Sequence, residues 1–262
     1  MPRHFSHYYF SQKLVADASY AISAIVKLYP DAYLLGSFGA DLFADKEHKK
    51  RLADADPVQF FGVTARNIFT NGSKCRLAYM LGFTSHYALE RAGNPFVHYF
   101  AANGVRGYYG GKSETRSEED IEIGIDRHLI RDYLGTAKAL SLVQGISVRK
   151  PVLEEIAAFY VDVINDLADV YLNYRKTLSL LSSVKADMPL SEGLGRIDYM
   201  NREHREWRAY TGEVTSLSFD ELMDEQRIVA YDLLEEYMKM ARSNKQTDES
   251  KFGYTASGNP NI

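Results

Sequence analysis

The sequence predicts an all-α, multi-helix protein on three observations. Apolar residues recur at three- and four-residue steps along most of the chain, Pro, Gly and Asn-Gly signals punctuate it at helix-length intervals, and no alternating apolar–polar stretch is long enough for a sheet. Residues 11–28 place Leu14, Val15, Ala18, Ile22, Ile25 and Val26 on one helix face, and Pro30 ends that segment. Asp56-Pro57 opens a second helix to about residue 69, with Asn71-Gly72 as its stop. A third runs from 74 to about 91, bounded by Gly93 and Asn94-Pro95. Residues 104–117, GVRGYYGGKSETRS, read as a turn-rich loop, and Ser117 with Asp120 nearly matches a capping box for a helix over 118–133. Pro151 opens the longest helix, to about 181, and a polar connection with Pro189, Gly193 and Gly195 follows. A short segment spans 198–207, and Ser218 caps a last helix over 219–242. Residues 1–243 thus read as a single helical domain and 244–262 as a polar, disordered C-terminal tail.

Composition narrows the function classes. The 262 residues carry 31 Lys and Arg against 35 Asp and Glu, a net charge of −4, so no basic field draws the chain to nucleic acid. The single cysteine, Cys75, excludes an intramolecular disulfide and any zinc site built from several thiolates. A metal would need nitrogen and oxygen ligands, and seven histidines are available. No window of 18 uncharged apolar residues predicts a transmembrane segment, and the first residues lack the apolar core of a secretory signal, so a cytoplasmic location is expected.

Two stripes have chemical potential. His86, Glu90 and Asn94 fall at successive four-residue steps, the spacing at which a helix offers an imidazole and a carboxylate to one metal ion. Taken alone, the same spacing suits a core histidine and a glutamate paired to a neighbouring arginine. Glu118, Glu122 and Asp126 repeat the step, and an acidic row at a helix start is also what the macrodipole favours. The Gly104–Gly111 loop has the length of a substrate lid but lacks the arrangement of a nucleotide P-loop.

The surroundings of the first stripe resemble a known family. The run YMLGFTSHYALERAGNPFV (79–97) is similar to the YLLGFxxHYALDxxxHPYV core of the bacterial zinc-dependent phospholipase C family. His7 near the N-terminus, LGSFGADLF (35–43), EEDIEIGID (118–126), the Asp198–Trp207 segment and SFDEL (218–222) resemble further segments of that family in order and spacing. The resemblance covers about residues 1–240.

That resemblance implies a helical fold holding zinc ions with histidines and carboxylates, and an aspartate that helps to activate the attacking water. His7, Asp41 and His86 match family positions, Asp41 being the water-orienting catalytic base, and Glu90 stands where the family has Asp. The histidine expected after Asp41 is missing, with Ala53 or Asp54 near that point and His48 the nearest imidazole. Asn94 and Glu118 each stand where the family has histidine, and Glu122 is kept. His7, His86 and Glu90 are therefore the principal expected ligands, and Asn94, Glu118 and Glu122 a second, altered set. An Asn with two Glu suits a hard cation better than zinc, whereas the cluster of His7, His86, Glu90 and Asp41 suits zinc, iron or manganese, so Zn, Mn, Fe, Mg or Ca at reduced occupancy is expected.

Two functions follow. The first is a metal-dependent phosphoric-ester hydrolase in which an activated water attacks phosphorus, acting on a small phosphoester or phospholipid head group. The second is a catalytically degenerate relative that binds a ligand or a protein partner in the old cleft.

Overall fold

Sixteen successive residues, Cys75 to Glu90, are buried, and a helix can do this only if other elements cover it on every side. In the computed structural model, which describes residues 4–39, 56–133, 148–167, 172–182, 196–209 and 212–254, that helix is the centre of the fold. Ten helices occur among the described residues: α1 (His4–Asp17), α2 (Tyr20–Leu28), α3 (Pro30–Ser37), α4 (Pro57–Asn71), α5 (Lys74–Asn103), α6 (Glu118–Tyr133), α7 (Lys150–Leu167), α8 (Tyr174–Ser182), α9 (Phe219–Ser243) and α10 (Glu249–Phe252). Helices α1, α3, α6, α7 and α9 all pack on α5. Two antiparallel two-residue hairpins, Val105–Arg106 with Ser113–Glu114 and Trp207–Arg208 with Val214–Thr215, are the only strand pairs in the described residues, so the fold is all-α. No described helix is long and apolar enough to cross a membrane.

The helix ends carry the expected chemistry. Asp56 accepts from Val58 N–H at 2.9 Å to cap α4, whose Pro57 sits in the first turn, and Gly72 closes that helix at φ +65°. Ser218 and Glu221 form a reciprocal capping box at the start of α9. Ser117 and Asp120 make the same exchange before α6.

Several boundaries differ from the sequence reading. The segment 11–28 belongs to two helices, α1 and α2, which break at Ala18-Ser19, and α1 begins seven residues earlier than its periodicity suggests. Pro30 starts α3 instead of merely ending what precedes it, the first-turn role in which its missing N–H costs nothing. Helix α5 runs through Pro95 to Asn103, because Phe96, Val97 and Phe100 beyond it are buried, Phe96 against Trp207 and Phe219 with ring centroids at 5.4 and 5.3 Å. An interior proline costs a helix roughly 3 kcal/mol, and this burial offsets it. The expected long helix over 151–181 instead comprises α7 and α8, and α5 is the longest described helix.

The tail also differs. Residues 244–254 are not a free polar end: α10 buries Phe252 completely against Phe61, with centroids at 4.4 Å, and Tyr87 Oη donates to the Tyr254 carbonyl at 2.7 Å. One large aromatic outweighs its polar neighbours, which a composition average hides. Residues 255–262 lie outside the described residues.

Helices α3 and α5 meet backbone to backbone. A Cβ on Gly36 would lie 1.9 Å from the Tyr79 carbonyl oxygen, and one on Gly82 would lie 2.0 Å from that of Tyr33. Only glycine fits either place, which sets the register between the two helices.

Candidate metal centre

Helix α5 supplies two of the three central groups. His86 and Glu90 lie one turn apart at the end of its buried run, and both side chains are enclosed, 5% and 0% exposed. Helix α1 supplies the third, His7, which is 1% exposed. His7 Nε2 lies 2.9 Å from Glu90 Oε1, and the His7 and His86 rings stack obliquely with centroids 4.2 Å apart. One ligand-capable atom from each of the three residues falls within 4.8 Å of the others, the one such His/Cys/Asp/Glu group among the described residues.

Neighbouring groups fix these side chains. Asn94, one turn beyond Glu90, donates from Nδ2 to Glu90 Oε2 at 2.7 Å, so the carboxylate presents one oxygen to Asn94 and the other to His7. The backbone of Gly39 lies against the His86 imidazole: a Cβ there would sit 2.1 Å from Cδ2, and φ is +53°. Glycine therefore meets both a steric and a conformational demand at this contact.

The first turn of α1 is held from a distance. Asp126, fully buried on α6, accepts from the Phe5 and Ser6 N–H groups at 2.9 Å each and also from the Ser6 hydroxyl. It thus caps a helix 120 residues away in sequence. Burial pushes its carboxyl up to about 6, against the lowering effect of those hydrogen bonds. Two residues on, burial pushes His128 down to about 4, aided by the charges of Arg131 and Arg202. Arg131 donates to His128 Nδ1 at 2.9 Å.

The sequence-predicted residues divide as follows. His7, His86 and Glu90 come together, and Asn94 joins them through Glu90. Glu118 is half exposed and takes His98 Nδ1 at 3.0 Å. Its described partner is thus His98, four residues past Asn94 and absent from the expected ligand set. Glu122 is half-buried. Asp41, His48, Ala53 and Asp54 lie outside the described residues. Sequence reasoning missed Asp126 as the cap of α1, because nothing local links residue 126 to residues 5 and 6. It also missed His98, although the four-residue step from Asn94 was a signal that could have found it.

Comparison with protein-family models, curated proteins and solved structures finds no match to this chain.

The donor set can be judged on its own chemistry. Zinc holds imidazole nitrogen at about 2.0–2.1 Å and carboxylate oxygen at about 2.0–2.2 Å, which puts tetrahedral ligand atoms about 3.4 Å apart. Ligand atoms already within 4.8 Å of one another fit that demand with small side-chain shifts. Two imidazoles and one carboxylate form a three-ligand set, which leaves coordination positions open for water or substrate, unlike a closed structural site.

Proposed function

We propose that this chain is a metal-dependent phosphoric-ester hydrolase of the zinc-dependent phospholipase C type, with a divalent ion held by His7, His86 and Glu90. One observation carries the proposal: three residues singled out from the sequence as principal ligands, two of them 83 residues apart, converge in one buried cluster. A divalent ion there supplies Lewis acidity toward phosphoryl oxygens and acidifies a water molecule. The chain's own residues orient and enclose. Asn94 holds Glu90 in one rotamer, Gly39 and Phe83 flank His86, and the anchored first turn of α1 delivers His7. Asp41 is assigned the water-orienting role on the family resemblance. The substrate class is a small phosphoester or a phospholipid head group.

A second reading, a relative that has kept the fold and lost the chemistry, draws on Asn94 and Glu118. Both replace family histidines, and they engage Glu90 and His98. Metal content decides between presence and absence of the centre. Protein purified without chelator or added metal is expected to carry close to one divalent ion per chain by mass spectrometry, and a His86→Ala/Glu90→Ala variant is expected to carry almost none. Equal, substoichiometric metal in both would end the metal-centre reading. Chromogenic phosphodiesters and phosphomonoesters, screened with Zn, Mn, Mg and Ca, then separate the enzyme from the binder: turnover lost in the double variant supports hydrolysis, and inactivity with all four ions supports the second reading.

A further inference from the structure

Asp126 stands out among the buried ionisable groups because its partners belong to another helix and stop one residue short of a proposed ligand. Its two carboxylate oxygens take the N–H groups of Phe5 and Ser6, and the Ser6 hydroxyl adds a third bond. The side chain is 0% exposed. A carboxylate is a costly choice for such a place, since a neutral Asn or Ser would also cap a helix without burying a charge. The arrangement fixes both the height and the rotation of α1 against α6. His7, the next residue in that first turn, meets Glu90 at 2.9 Å and the His86 ring at 4.2 Å between centroids. A rotation of α1 by one residue would carry the imidazole about 100° around the helix axis and out of the cluster.

We propose that Asp126 is a positioning residue for the metal centre, a carboxylate on α6 that clamps the first turn of α1 so that His7 presents its imidazole to the ion held by His86 and Glu90. The proposal rests on the metal-centre reading and adds to it a residue that touches no ligand atom. Groups that hydrogen-bond to metal ligands change affinity by about 10–100-fold when removed, and Asp126 acts one step further out, through the backbone of α1.

The test is a cobalt(II) titration of the full-length chain followed by its visible d–d absorption, with wild type, Asp126→Asn, Ser6→Ala, His7→Ala, the Asp126→Asn/His7→Ala pair and the His86→Ala/Glu90→Ala pair. Asp126→Asn is expected to weaken cobalt binding by about tenfold or more and to move the absorption toward that of His7→Ala. In the His7→Ala background the same change is expected to cost less than about threefold, because the group it positions is gone. Ser6→Ala, which deletes one hydroxyl and leaves both N–H bonds, is expected to move affinity in the same direction by less, and it serves if Asp126→Asn fails to fold. Wild-type affinity and absorption in both Asp126→Asn and Ser6→Ala would overturn the proposal. So would an equal loss with and without His7, which would mark a general structural role. Failure of the metal centre itself looks different: wild type and the His86→Ala/Glu90→Ala variant would take cobalt equally poorly. In that case the imidazole resonances of His7 in the metal-free protein decide. A selective shift of His7 over His98 in Ser6→Ala keeps the clamp, and an unmoved His7 overturns it.

Discussion

His7 Nε2 and Glu90 Oε1 approach to 2.9 Å across 83 residues, with both side chains closed to solvent. The contact brings the first described helix against the central one and leaves the carboxylate shared, since its other oxygen accepts from Asn94 at 2.7 Å. Glu90 is therefore both a structural acceptor and the proposed anionic ligand, and two substitutions separate these roles.

Glu90→Ala leaves His7 and Asn94 facing a void and is expected to cost about 2–4 kcal/mol in urea unfolding of the metal-free chain. Glu90→Gln keeps the volume and one carbonyl acceptor, so its stability loss is expected to be less than half as large. Metal content is expected to fall to near zero in both. A Glu90→Gln protein that keeps full metal would remove Glu90 from the ligand set.

Gly39 and Gly72 form a matched pair. Both have positive φ, +53° and +65°, but a Cβ at Gly39 meets the His86 ring and one at Gly72 meets nothing within 4 Å. Gly72→Ala is expected to cost about 1–2 kcal/mol for the left-handed backbone alone. Gly39→Ala is expected to cost at least that much again and to lower metal content, measured by thermal unfolding and mass spectrometry. Equal losses in the two variants would show that the His86 ring yields freely.

Asp126 and His128 pull the pH dependence of folding in opposite directions. Asp126 rises from 3.8 to about 6 on folding, so between those values the folded chain keeps a proton that the unfolded chain has released, and stability falls as pH rises. His128 drops from 6.5 to about 4, so between those values the unfolded chain holds a proton that the folded one lacks, and stability rises with pH. The two changes are opposite in sign and similar in size, roughly 3 kcal/mol each, so they largely offset. Urea unfolding of metal-free protein at pH 4 and 6.5 checks this. The change in stability from pH 4 to pH 6.5 is expected to be more positive than wild type in Asp126→Asn and more negative in His128→Gln.

Phe252 tests the packed C-terminal segment. A fully buried phenylalanine replaced by alanine costs about 3–5 kcal/mol, whereas the same change in a free tail costs nothing measurable. Phe252→Ala is expected to fall in the first range by urea unfolding, with Lys150→Ala, which removes an exposed ion pair to Glu154, below about 1 kcal/mol.

How far the sequence reveals this molecule depends on the range of the interaction. Caps such as Asp56, Ser117 and Ser218, and the stop at Gly72, are local, and they fall where the sequence places them. The helix through Pro95 and the docked Phe252 are not local: each is held by aromatic partners more than 100 residues away, Trp207 and Phe219 for one end and Phe61 for the other. The cluster divides in the same way. The spacing of His86 and Glu90 is visible on one helix, and His7 joins them through a family resemblance rather than a period. Asp126 closes both the acidic row and the 118–126 segment, but its role as a clamp is legible in neither, because a backbone N–H has no sequence signature.

The two glycines that let α3 and α5 touch have a dynamic consequence. Contacts between the two backbones, with Gly36 against Tyr79 and Gly82 against Tyr33, leave no layer of side chains that could loosen independently, so the two helices open together or not at all. His86 and Glu90 sit on that slow unit, inside a 30-residue helix, while His7 sits in the end turn of α1, where the Asp126 carboxylate takes the Phe5 and Ser6 N–H groups in place of helical carbonyls. Amide exchange should therefore release the first turn of α1 well before residues 79–90. Rare opening of the cluster would then occur on one side only, with His7 leaving while the other two groups keep their places.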